Sequence, residues 1–303
     1  MNILMSGGSG FIGSYFLKRF IEYGVSVDII SRSKPTNLKS DEVLIYDFDI
    51  TKPQNWVLKK KYDFFIHLAG ANDIDSRNPF DALFKTTYGT RNCLELCLKN
   101  NIKNFIYFST LQVYGDNQLI SEDSNIACNN DYALTHYFAE EYVKMFKNHG
   151  IDFIILRPSN VYGNFESKTI DRWSLVPGCF CKDVKTNSKI TLMSSGKQKR
   201  DFVSLDDVFS FTFHLVNNYE FCKNEVYNLA SGDVHSILEL AELVKIRYEL
   251  KFNTKCNLII KSKLPEHEEE YNVSLDRMKN TGYNLRGSSI LQIQETIDHL
   301  LGS

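Results

Sequence analysis

Gly7, Gly10 and Gly13 stand in the run Ser6-Gly7-Gly8-Ser9-Gly10-Phe11-Ile12-Gly13, spaced GxxGxxG. Glycine lets a chain turn tightly and lets a phosphate approach the free N–H groups at the start of a helix. The chemistry such a loop serves is the binding of a dinucleotide pyrophosphate, and Phe11 and Ile12, which open the helix, belong to the same cofactor-binding set. A second candidate lies at Ser31-Arg32-Ser33, where the next strand ends. An acid at that point favours NAD through the adenosine ribose, and an arginine accepts the NADP phosphate. Asp28 comes too early in the strand, so the missing acid and the present Arg32 tilt toward NADP. Arg32 as a solvated loop residue is the alternative, which leaves NAD and NADP both open.

These residues need a strand, a turn and a helix to hold them. Asn2 to Met5 is short and apolar, the pattern of a buried parallel strand. Ser14 to Tyr23 places Phe16, Leu17, Phe20 and Ile21 on one helical face, Gly24 closes the helix, and Val25 to Ile30 is a second apolar strand. Further strands are expected at Val43 to Tyr46, Phe64 to Leu68, Asn104 to Phe108 and Phe153 to Leu156. Helical patterns lie between them, at Thr87 to Asn100 and Tyr137 to Asn148. Strands alternating with helices predict an α/β, Rossmann-type doubly wound parallel sheet, which binds ligands beyond the carboxyl ends of its strands. From about residue 164 the alternation weakens. The expected division is a dinucleotide-binding domain over 1–163, with a return segment near 198–232 that begins at Phe202 to Asp207, and a smaller, interleaved α+β substrate domain over 164–303. Ser236 to Lys251 and Ile290 to Leu301 read as amphipathic core helices.

Composition narrows the function classes. The 303 residues are 43% hydrophobic and 24% charged, with a formal charge of -2 and no basic run, so nucleic acid is not an expected partner. Seven cysteines without a CxxC pair read as reduced thiols. No apolar run approaches the ~20 residues that span a bilayer. Met1 to Met5 runs straight into the first strand and leaves no room for a signal peptide. The expectation is a cytoplasmic protein without a membrane partner. The acidic run Glu266 to Glu270, with His267 inside it, reads as a solvated loop, and no metal site is expected.

Several segments resemble, in order and over nearly the whole chain, the marker motifs of extended short-chain dehydrogenases/reductases of the sugar-nucleotide epimerase/dehydratase type. They are Ser6 to Gly13, Asp49-Ile50, His67-Leu68-Ala69-Gly70, Tyr88-Gly89-Thr90, Ser109 to Gly115 (STLQVYG), Arg157 to Gly163 (RPSNVYG), Arg200 to Asp207 (RDFVSLDD) and Tyr227 to Gly232 (YNLASG). The resemblance implies an NAD-dependent enzyme with a nucleotide-diphosphate sugar as substrate. It implies that Asp49 and Ile50 hold the adenine, and that Leu68, Ala69 and Gly70 run along the cofactor. In the substrate half it places Asn160 and Arg200 on the diphosphate, and Val176, before Pro177, beside the base. Arg277 is a weaker diphosphate candidate, with a solvated helix residue as its alternative. A surface ion pair with Asp201 or Asp206 is the alternative for Arg200. The helices near Thr87 to Asn100 and Tyr137 to Asn148 resemble those of the family's four-helix contact. A homodimer is therefore the default and a tetramer the variant.

By the same resemblance Tyr132 is the general acid/base and Thr110 hydrogen-bonds the reacting oxygen. The position four after the tyrosine, a lysine in the family, holds His136. That spacing sets both on one helix face. A tyrosine titrates near ~10 and a histidine near ~6.5. A fixed ammonium lowers a neighbouring tyrosine by ~1–3 units, and a neutral imidazole does less. Three readings stay open: His136 in the lysine's role, a cofactor held tightly in an unusual way, or a non-catalytic dinucleotide-binding regulator. Dehydratases of the family carry Asp-Glu after the threonine, where this chain has Leu111-Gln112, so dehydration is not expected. Oxidation, reduction or epimerisation at a ring carbinol, C4 foremost, remains.

Overall fold

The computed structural model describes residues 1–32, 43–52, 56–166, 173–262, 270–285 and 289–302. Ser33 and the acidic residues 266–269, with His267, lie outside the described residues.

Seven strands form one parallel sheet: β1 (Asn2–Ser6), β2 (Ser26–Ile30), β3 (Ile45–Tyr46), β4 (Phe64–His67), β5 (Asn104–Phe108), β6 (Asp152–Pro158) and β7 (Glu225–Leu229), in the order β7-β6-β5-β4-β1-β2-β3. The order reverses beside β1, so the loops after β1 and β4 open a crevice at the carboxyl edge. Both faces are covered, because the strand residues are apolar on both sides. Ile3, Met5 and Ile66 pack under the helices Phe11–Glu22 and Leu205–Asn217. Leu4, Phe65, Phe105 and Tyr107 pack under the helices Gly89–Lys99 and Asp131–Phe146. Edge-to-face rings join the first pair of helices, with Phe209 5.3 Å from Phe16 and 5.1 Å from Phe20, a geometry worth about 0.5–1.5 kcal/mol per pair beyond burial.

Two elements differ from the sequence pattern for physical reasons. The third strand is shorter: the Leu44 N–H goes to the Asp28 carboxylate at 2.7 Å while its carbonyl takes the Ile29 N–H at 3.0 Å, and the paired residues are Ile45 and Tyr46. The helix expected from Tyr137 begins at Asp131, where the Asn130 side chain accepts from the Ala133 N–H at 2.9 Å. Phe202 to Ser204 pairs with Asn160–Tyr162 in a small sheet with Val234–Ser236, not with the central sheet. The chain re-enters the central sheet through the helix Leu205–Asn217 and β7. A separate apolar cluster, with Phe180, Cys181, Leu240 and Ile297, gathers the C-terminal helices.

Candidate active site

The glycine loop is built as a tight cradle. Gly7 has φ +76°, in the left-handed region that favours glycine, and a Cβ there would stand 2.8 Å from the Ala69 nitrogen. A Cβ on Gly13 would stand 2.1 Å from the Gly7 carbonyl oxygen. The helix Phe11–Glu22 begins behind it with no side-chain cap and no acid in its first turn, so its leading N–H groups are left for an anion. Phe11 and Ile12 are half-buried against the core, which fixes the helix start.

A buried hydrogen-bond chain anchors the loop that flanks this cradle. Ser6 Oγ donates to His67 Nδ1 at 2.6 Å and accepts from the Ala69 N–H at 3.3 Å. His67 Nε2 meets Thr90 Oγ1 at 3.0 Å, and Thr90 donates its own proton to the Thr86 carbonyl at 2.7 Å. Thr90 therefore accepts from His67, whose proton sits on Nε2. Burial, with His136 nearby, pushes the His67 pKa down to about 3. The chain holds Leu68, Ala69 and Gly70 against Gly7.

At the end of β2, Ser31 is buried and Arg32 exposed. Asp28 is inaccessible to a ribose, because its carboxylate is buried against Leu44, Tyr62 and Lys60. Asp49 accepts from the Thr51 N–H at 3.0 Å and hydroxyl at 2.7 Å, and the hydroxyl bond above all keeps its pKa below the usual carboxylate value. Ile50 packs on Gly89, and its carbonyl accepts from Asn92 at 2.7 Å.

Tyr132 and His136 share one face of the helix Asp131–Phe146, with ring centroids 4.7 Å apart and edge to face. His136 is 6% exposed, and burial pushes its pKa down to about 4, against an opposing pull from the Ala71 carbonyl. Its Nδ1 lies 2.8 Å from the Tyr107 hydroxyl, and its Nε2 is buried with no hydrogen-bond partner among the described residues. The Cε1 edge of the ring faces Gly70, 3.8 Å from where a Cβ would stand.

Under this helix lies a second buried network that sequence reasoning missed. Glu140, one turn past His136, accepts from Ser109 Oγ at 2.5 Å and from two nitrogens of Arg157, at 2.9 and 2.6 Å. Arg157 also donates to Tyr114 at 2.7 Å, and Tyr114 to Asn228 at 2.8 Å. The network ties the two strand-end motifs that contain Ser109 and Arg157 to the helix that carries Tyr132. The signal was present: a glutamate at eight residues from Tyr132 falls on the same helix face, and Arg157 is a charge inside an apolar strand.

Thr110 accepts from the Gln112 N–H at 3.2 Å and lines a cleft of about 760 Å³. Asn130, Asn160, Lys197, Lys199, Arg200 and Tyr271 line it too. Asn160 donates to the Asp201 carbonyl at 2.8 Å. Arg200 is exposed, bonded to the Lys199 carbonyl at 2.7 Å, with its guanidinium 5.9 Å from the Tyr271 ring centroid. Asp201 is instead buried among Ser159, Ser231 and Gly232, and Asp206 meets Tyr15 and Arg19. Arg277 is not among the residues lining the cleft; it pairs with Asp123 at 2.9 Å and Glu225 at 3.2 Å. Val176 lies beside a smaller hollow with Phe11 and Phe165. No group of three or more His, Cys, Asp or Glu with metal-site geometry occurs among the described residues.

A glycine cradle that admits no Cβ, an uncapped helix start and a parallel sheet with its crevice beside β1 define a Rossmann-type fold whose cradle suits a dinucleotide pyrophosphate. Residues 3–230 match the NAD dependent epimerase/dehydratase family, and the chain belongs to that family. It is similar to a putative UDP-glucose 4-epimerase of Methanocaldococcus jannaschii, with 30% identity over 91% of this chain and 90% of that one. It is similar also to a GDP-6-deoxy-D-talose 4-dehydrogenase of Aggregatibacter actinomycetemcomitans, with 28% identity over 80% and 79%. Its fold is that of the UDP-glucuronic acid 4-epimerase of Bacillus cereus solved with UDP-glucuronic acid and NAD, at a TM-score of 0.81, 21% identity and coverage of 99% of both chains. No helix among the described residues is long and apolar enough to cross a membrane.

Proposed function

We propose that the chain is an NAD-dependent oxidoreductase of a nucleotide-linked sugar, acting at a ring hydroxyl, C4, as a dehydrogenase or 4-epimerase. The observation that carries this reading is the 760 Å³ cleft, which opens from Thr110 and Asn130, the cap of the Tyr132 helix, onto Asn160 and the exposed guanidinium of Arg200. A planar fork beside an asparagine suits a diphosphate. The two relatives, both named for carbon 4, support the position of attack.

The dinucleotide, when bound, supplies the hydride acceptor and donor. Gly7, Gly10 and Gly13, with the helix start at Phe11 and Ile12, would hold its pyrophosphate; Asp49 and Ile50 its adenine; Leu68, Ala69 and Gly70 its flank. Tyr132 would take the proton of the sugar hydroxyl, with Thr110 hydrogen-bonded to the same oxygen. His136 would stand in the lysine's position as a neutral donor through Nε2, toward a ribose hydroxyl. Val176 would flank the base, while Arg277, held by Asp123 and Glu225, has no part in this reading. Exposed Arg32 keeps NADP as the alternative cofactor. Leu111 is buried and Gln112 carries an amide, so neither can move the protons of a dehydration. Leu134, Phe138, Tyr142 and Met145 form an exposed stripe on the helix face opposite Tyr132, which supports a homodimer through this helix.

Incubation with NAD and a panel of UDP-, GDP- and dTDP-sugars, read by product NMR and by the absorbance of reduced nicotinamide, tests the reading. The expected result is turnover of a member of the panel that Tyr132→Phe abolishes. Failure to bind either dinucleotide, or full turnover in Tyr132→Phe, overturns it.

A further inference from the structure

We propose that Tyr107 is a positioning residue for His136: its hydroxyl donates to Nδ1 and so fixes the imidazole as the neutral tautomer that presents Nε2–H to a hydroxyl oxygen of the dinucleotide. The inference rests on the dinucleotide-binding reading and explains how a histidine works at the lysine's position.

The argument starts from β5. Tyr107 is fully buried in a central strand, one residue before Phe108 and two after Phe105. A phenylalanine would fill that core position equally well, so the hydroxyl is an extra polar atom that must be satisfied. Burial raises the Tyr107 phenol well above its ordinary pKa, so it keeps its proton and is able to donate. Donated across the 2.8 Å contact, that proton makes Nδ1 the acceptor, and a neutral imidazole then carries its own proton on Nε2. Among the described residues no carboxylate is placed to hold a second proton. Glu140, one turn along the same helix, has its oxygens taken by Ser109 and Arg157, with Lys144 3.8 Å away. From β4 the neighbour is His67, stacked on Tyr107 at 5.8 Å, and from the helix itself it is Tyr132. The Nε2–H so fixed makes no hydrogen bond of ordinary geometry among the described residues, although the Ala71 carbonyl draws on the ring, and the Cε1 edge faces Gly70, beside the strip that closes on Gly7. A buried donor without a partner is costly and rare, which marks it as awaiting one.

The test uses the full chain with ring-15N histidine, NAD titrations, and a double-mutant cycle of Tyr107→Phe with His136→Lys. In the wild type the His136 resonances should show a proton on Nε2 alone. In Tyr107→Phe both tautomers should appear and NAD binding should weaken about five- to tenfold, the effect of one hydrogen bond. Tyr107→Phe made in the His136→Lys background should change NAD binding less than twofold. A proton that stays on Nε2 alone in Tyr107→Phe, or an equal loss of NAD affinity in both backgrounds, overturns the inference. If wild type binds NAD and Tyr107→Phe binds it identically, only this inference falls. If wild type binds no NAD, the functional reading itself falls.

Discussion

Lowering the pH should destabilise this protein through two histidines. His67 and His136 are both buried in neutral form, with pKa values pushed down by burial to about 3 and about 4. In the unfolded chain each titrates near ~6.5. Between those values the unfolded state binds the proton and the folded state does not, so stability falls as the pH falls. From about pH 7.5 to about pH 5 each histidine should cost about 2 kcal/mol, about 4 kcal/mol together. That is a large part of the ~5–15 kcal/mol by which a domain is stable. Burial also raises the carboxyls of Asp201 and Glu122, which bind protons more readily in the fold and oppose the loss. Comparison with single variants removes them, because each variant retains both. Urea unfolding at a series of pH values should show a wild-type slope that His67→Gln and His136→Gln each flatten by up to ~1.4 kcal/mol per pH unit. The constant destabilisation that either substitution adds does not alter that slope. Parallel wild-type and variant curves between about pH 6 and about pH 5 would refute the reasoning.

Gly13→Ala should cost more than tenfold in NAD affinity by isothermal titration, because its methyl would stand 2.1 Å from the Gly7 carbonyl oxygen and force the cradle open. Arg200→Ala should raise KM for the nucleotide sugar about ten- to hundredfold, as for a lost charge-assisted contact, with a smaller change in kcat; an unchanged KM would place the diphosphate elsewhere. Arg157→Leu strands the buried Glu140 carboxylate and should lower stability by about 3–5 kcal/mol in urea unfolding.

What the sequence made legible was whatever a single residue type or a local period decides. The glycine cradle could be read because its backbone admits no side chain at Gly7 or Gly13. The sheet could be read because strands buried on both faces are continuous apolar runs. The start of the Tyr132 helix is set by the Asn130 cap, which apolar period does not report. Arg200 and Arg277 are alike in sequence, and only tertiary placement sends one to the cleft and the other to Asp123 and Glu225. The same holds more strongly for His136. Its charge state follows from burial, and the tautomer proposed for it from a tyrosine 29 residues away on β5. Tyr107 in turn faces that helix because β4 and β5 run in parallel register, with His67 opposite Tyr107. A tyrosine in an apolar strand reads as core, and a histidine at a lysine's position reads as a defect. In the proposed arrangement they make a neutral donor at the wall of the cradle, and that property belongs to neither residue alone.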